Sequence, residues 1–213
     1  MTGYNAEEVR AALTAISAAY DELMQAIGTD VQNKFIGGMA EHWACTQAQD
    51  FFENKFKEVC NVLVADTNKI FESVMGAING AARAWAALTE TEYTDYSFSV
   101  NAFQYDTSMI QENIGGLRGI DKVNAESVAS SLSEIAASAD TALDNAASAV
   151  STHQGFIGGD QAEMLINALN TIKTNLSNVF SEITTATDQG IKKTIEVYGD
   201  TAGEISKKFN GEE

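Results

Sequence analysis

The chain has 213 residues and no proline, with 45% hydrophobic and 20% charged residues. Lack of proline tells against a turn-dense all-β fold, and the apolar content supports a core built from long uninterrupted helices. Thirty acidic residues against 13 basic ones give a net charge of −17, which removes the basic face that nucleic acid or an anionic membrane requires.

In chain order, the first expected helix begins at Asn5, a good N-cap, with Glu8 completing a capping-box pattern. Its apolar residues Val9, Leu13, Ile16, Tyr20, Leu23 and Ile27 alternate steps of four and three, a heptad stripe. Gly37-Gly38 is expected to break this helix and turn the chain back. The second helix carries Phe52, Phe56, Val59, Leu63, Ile70, Val74, Ala77, Trp85 and Leu88, again close to a heptad. Residues 92–123 read as a linker whose aromatics, Tyr93, Tyr96, Phe98, Phe103 and Tyr105, pin an extended segment along a groove. Its Gly115-Gly116-Leu117-Arg118-Gly119 stretch has neither phosphate-loop nor dinucleotide spacing and reads as a flexible linker end.

The second half repeats the first. Asn5-Ala6-Glu7-Glu8-Val9 returns as Asn124-Ala125-Glu126-Ser127-Val128, and Phe35-Ile36-Gly37-Gly38 returns as Phe156-Ile157-Gly158-Gly159. Asn124 is the expected N-cap and Gly158-Gly159 the expected turn, followed by Leu165, Leu169, Ile172, Leu176, Val179 and Ile183. From Val128 to Ser151, 14 of 24 residues are Ala or Ser, which lets helices approach closely. The expected organisation is a hairpin over 1–91, a linker over 92–123 and a second, degenerate hairpin over 124–213. Two amphipathic hairpins bury their stripes against each other. The expected fold is all-α: an elongated four-helix bundle of two antiparallel helical hairpins with a long irregular linker. An extended linker of this length reaches up to about 105 Å, enough to run along helices of roughly 65–70 Å. Parallel hairpins would need only a few residues. With both halves of a pseudo-dimer in one chain, a monomer is expected.

No apolar run of about 18 residues occurs, so no membrane insertion is expected. Met1 to Glu8 lacks the basic and apolar stretches of a cleaved signal. Cys45 and Cys60 would lie about 22 Å apart on one helix, too far for a disulfide, and read as small buried thiols. His42 and Cys45, with only Cys60 and His153 besides, make a poor zinc set. No Glu-x-x-His, HExxH, GxSxG or P-loop occurs. No cofactor, metal or catalytic activity is expected.

Trp43-Ala44-Cys45, just after Gly37-Gly38 and eight residues before Phe51, resembles the WXG100 (ESAT-6-like) family, helical hairpins with Trp-x-Gly near the turn. Cys45 stands where the family has glycine. In the second copy the equivalent positions are Met164, Ile166 and Ile172. The resemblance implies a tandem fusion of two units that elsewhere pair into antiparallel four-helix bundles. It also implies a type VII (ESX-like) secretion substrate or secretion partner/adaptor, acting with a secretion ATPase or a co-secreted helical or effector protein. Such a chain is cytoplasmic before export and reaches the medium or cell surface without a cleaved signal peptide. The family's export signal adds Tyr-x-x-x-Asp/Glu after the partner's last helix. Candidates here are Tyr198, with Glu204 beyond the proper spacing, and Phe209 with Glu213; Tyr4 with Glu8 matches in spacing at the other end. Trp43, Cys45 and Tyr198 are expected to form one composite patch, with Trp43 partly exposed. The alternative is a helical structural or interaction module unrelated to secretion.

Overall fold

The computed structural model describes residues 5–199 as an all-α protein with one two-stranded ribbon. Asn5 caps α1 (Ala6–Met24): its Oδ1 accepts the Glu7 N–H at 2.9 Å, and Glu7 and Glu8 sit at the positive end of the helix. The expected stripe from Val9 to Ile27 is buried throughout.

From Gln25 to Ile36 the path continues as a π-helix, then as α2 (Gly37–His42). Buried Ile27, Val31, Phe35 and Met39 follow one another here at a constant step of four. In an α-helix each such step swings the face by about 40°. Wider winding absorbs that drift and keeps the four side chains in one row.

The expected turn at Gly37-Gly38 is not where the helix ends. Both glycines are helical, and the chain first leaves the helix at β1 (Trp43–Ala44), where Trp43 has φ −136° and Cys45 φ −170°. The extended backbone there is held by β2 (Gly119–Ile120), antiparallel, with Trp43 opposite Ile120. Gly38 serves close approach instead: a Cβ would stand 2.9 Å from both methyls of Val128.

Next, α3 (Thr46–Phe51) and a π turn over Phe52–Phe56 lead into α4 (Lys57–Leu88). The buried line of α4 keeps the expected Leu63 and Val74 but otherwise runs through Cys60, Val64, Thr67, Phe71, Ile78, Ala82 and Ala86. This corrects the heptad through Ile70, Ala77, Trp85 and Leu88. A heptad needs 3.5 residues per turn and a straight α-helix drifts from it by about 20° per heptad. By the end of α4 the drift leaves Leu88 78% exposed.

The ordered start of α5 (Lys122–Thr152) is set by Asp121, not Asn124. The Asp121 carboxylate accepts the Asn124 N–H at 3.2 Å and its side-chain amide at 2.7 Å. A short α6 (Gln154–Ile157) ends at Gly158, whose φ of 91° suits glycine, and α7 (Gly159–Tyr198) follows. Buried Leu169, Ile172, Leu176, Phe180, Ile183, Thr187, Ile191 and Thr194 repeat steps of three, four and four. That is an 11-residue repeat of about 3.67 residues per turn.

The chain forms two compact units that cut across the repeat boundaries. The first joins the described residues up to Ala26 with Leu63–Ala102 and Ala137–Leu176. Its linker portion is held at two places on α4. The Asn79 side chain accepts the Tyr93 hydroxyl and the Tyr96 N–H and donates to the Tyr96 carbonyl. The Tyr20 hydroxyl donates to Asn68 Oδ1 at 2.8 Å and accepts the Asn101 N–H, while its ring meets Phe71 and Phe98, each at 5.1 Å.

The second unit joins Ile27–Val62, Phe103–Ala136 and the described residues from Ser177 onward. Here Phe35 packs on Phe52 at 5.8 Å and Phe56 at 5.5 Å. Tyr105 stands edge-on to Phe56 and donates its hydroxyl to the Ile27 carbonyl. Phe103 covers Gly28, Thr107 donates to Glu53, and Gln49 donates to the Ile110 carbonyl at 3.1 Å. In both units the linker aromatics fasten irregular chain to helices.

Candidate functional site

Trp43 lies in the second unit at the step between α2 and α3. Its extended backbone aims the indole across β1 at α7. The side chain is fully buried, which overturns its expected partial exposure. The ring rests on the backbone of α7 at Gly190, where a Cβ would come within 2.5 Å of the indole. The indole N–H donates to the Thr194 hydroxyl at 2.9 Å. That hydroxyl donates in turn to the Gly190 carbonyl at 2.9 Å. Cys45 Sγ lies 3.7 Å from the same oxygen. Because the Thr194 proton is committed to Gly190, the thiol is the donor there. Phe51 stacks on Trp43 with ring centres 6.0 Å apart, and Phe52 meets the indole edge-on at 6.1 Å.

Trp43, Cys45 and Phe51 are therefore brought together, and they meet α7 through Gly190 and Thr194. Sequence reading missed both. One signal was available: Gly190 is the single glycine between Asp160 and Tyr198, and an interior helix glycine costs about 1 kcal/mol relative to alanine. Tyr198 lies one turn beyond Thr194 and is half-buried; Gly199, with φ 75°, follows it. Glu204, Phe209 and Glu213 lie outside the described residues, as does Tyr4.

The surroundings tie this site to the start of α5. The His42 carbonyl accepts the Asp121 N–H at 2.8 Å, and Gly38 faces Val128. The positions of the second copy are unlike the first: Met164 is 69% exposed, Ile166 half-buried and Ile172 buried. Gly158 ends α6, and Gly159 opens α7.

Burial pushes the Cys60 thiol and the Tyr105 phenol up from their usual values. The Thr107 hydroxyl bonded to Glu53, with Lys57 nearby, holds that carboxyl below its usual value. Glu53 lines an open cleft of about 390 Å³ with Asp50, Gln49 and Ser108. Both cysteines are free and buried, and among the described residues no group of three or more His, Cys, Asp and Glu could hold a metal. The Trp43 seat can lock two distant chain segments together. Comparison with family models, curated proteins and solved structures finds no match to this chain.

Proposed function

We propose that this chain is a type VII (ESX-like) secretion substrate, or a secretion partner or adaptor, that acts through protein–protein contacts and without catalysis. The observation that carries the reading is the Trp43 seat. The Trp-x-small turn of the first repeat lies against Gly190 and Thr194 in the last helix of the second, one turn before Tyr198. The resembled family joins its Trp turn and its partner's C-terminal signal in the same way. On this reading the two repeats are antiparallel hairpins of one four-helix bundle, a monomer with an internal pseudo-dimer. In the second unit Gly38 meets Val128 near the start of α5; in the first, Ala77 to Leu88 face Ile157 and Gln161. The contact of Gly38 with Val128 and the placing of these residues on one groove favour that polarity. The partner is a secretion ATPase or a co-secreted helical or effector protein, and the chain is cytoplasmic before export.

One observation favours a second reading, a helical interaction module unrelated to secretion. Trp43 has no exposed surface, so no receptor can read it in the folded chain. An export assay separates the two. The chain is expressed in a bacterium with a type VII system, with and without its ATPase, and sought in the medium. Export is expected only with the ATPase, and Tyr198→Ala is expected to abolish it with an unchanged circular dichroism spectrum. Retention of the wild-type chain in cells, or export that ignores the ATPase, overturns the secretion reading.

A further inference from the structure

In the first unit, the C-terminal half of α4 borders an open groove of about 440 Å³. Ala77, Gly80, Ala81 and Ala84, at i, i+3, i+4 and i+7 on one helical face, line it together with Trp85. Leu88 continues the groove along α4 and is 78% exposed; Ile157 and Gln161 form the facing wall. Met164, one turn past Gln161, is 69% exposed. A Cβ added at Gly76 or Gly80 would meet nothing within 4 Å, so a second backbone has room to come close. Small residues at this spacing, with apolar side chains beside them, are the surface into which the ridge of another helix packs.

The charge around the groove decides what kind of helix fits. Between residues 77 and 92 and between 154 and 172 the only Lys or Arg is Arg83, held 3.5 Å from Asp95. Glu90, Glu92, Asp160 and Glu163 are exposed in the same stretches. A second copy of this chain would bring a further charge of −17 to a groove whose two walls lie in acidic stretches of the sequence. We propose that the groove docks an amphipathic helix of a different protein, apolar on one face and flanked by lysine or arginine. Such docking is independent of export.

The test uses the full chain and two stapled helical peptides of about 18 residues, each with leucine at i, i+3, i+4 and i+7, one flanked by lysines and the other by glutamates. Fluorescence anisotropy is expected to show micromolar binding of the lysine peptide, weakening as salt rises, and at least about tenfold weaker binding of the glutamate peptide. Gly80→Gln places a long side chain in the groove at a position where a Cβ meets nothing within 4 Å. It is expected to weaken the lysine peptide at least about tenfold with unchanged circular dichroism. Four results overturn the proposal: no binding of either peptide, equal binding of both, full binding by the Gly80→Gln variant, or a dimer of this chain that Leu88→Glu abolishes.

Discussion

At Gly190 an ordinary rule of helix stability reverses. Replacing an interior helix glycine with alanine usually stabilises by about 1 kcal/mol. Here the added methyl would stand 2.5 Å from the Trp43 ring, against a side chain locked between Phe51, Phe52 and α7. Gly190→Ala is therefore expected to destabilise by about 1–3 kcal/mol, the range for overpacking a core. Thr194→Val, which strands the indole N–H, is expected to cost about 1–3 kcal/mol. Urea unfolding midpoints check both, and a gain on Gly190→Ala would refute the close seat. Trp43 stands out in the sequence as a rare residue beside a small one. Its partners lie about 150 positions away, and only the fold selects them.

The buried thiol and phenol give a residue-scale pH dependence. Cys60 and Tyr105 are held neutral, with folded values raised above those of the unfolded chain, about 8.5 and about 10. Above those values the native state keeps protons that the unfolded chain releases. Their contribution is complete below about pH 8.5 and falls as pH rises, by up to about 1.4 kcal/mol per pH unit for each group. Urea titrations from pH 8 to 11 should show this decline. Cys60→Ala should flatten its first part and leave the tyrosine part. Identical pH profiles for the two proteins would refute the assignment.

At the scale of elements, the phase of the helices carries the lesson. The stripe of α1 was legible because few turns separate its residues, so heptad and helix periods have not yet diverged. In α4 and α7 the lengths are 32 and 40 residues, and the small difference in period accumulates. The core then takes Phe71 and Ile78, while Trp85 and Leu88 move to the groove side. Phe71→Ala is expected to cost about 3–5 kcal/mol and Leu88→Ala less than about 0.5 kcal/mol. Thermal or urea unfolding of the two variants decides the phase; comparable losses would restore the heptad. The linker aromatics were legible as anchors. Their receptors, Asn79, the Tyr20 ring and the Ile27 carbonyl, were not, because helix residues look alike until irregular chain crosses them.

For the whole molecule, the strong negative charge and the internal repeat lead to the same expectation. Light scattering at micromolar concentration should give the mass of one chain, 22.8 kDa. A stable dimer would mean that the repeats find partners between chains and not within one.

Composition by itself determined the fold class, because a chain without proline and rich in helix formers has nothing to interrupt long helices. The repeat of Phe-Ile-Gly-Gly led to the expectation of two related halves, whereas the compact units of the fold cut across them. Tertiary structure decided how those residues are used. Gly37-Gly38 stays helical, and the helix ends further on, where Trp43 and Ala44 pair with β2. Gly38 and Gly190 are small because another helix or an indole lies against them. Trp43 is buried because α7 closes over it. A local pattern sets propensity and period, which are short-range properties. Which glycine turns, which one is packed against, and which stripe faces inward depend on neighbours that lie far away along the chain, as Val128 does from Gly38 and Gly190 from Trp43.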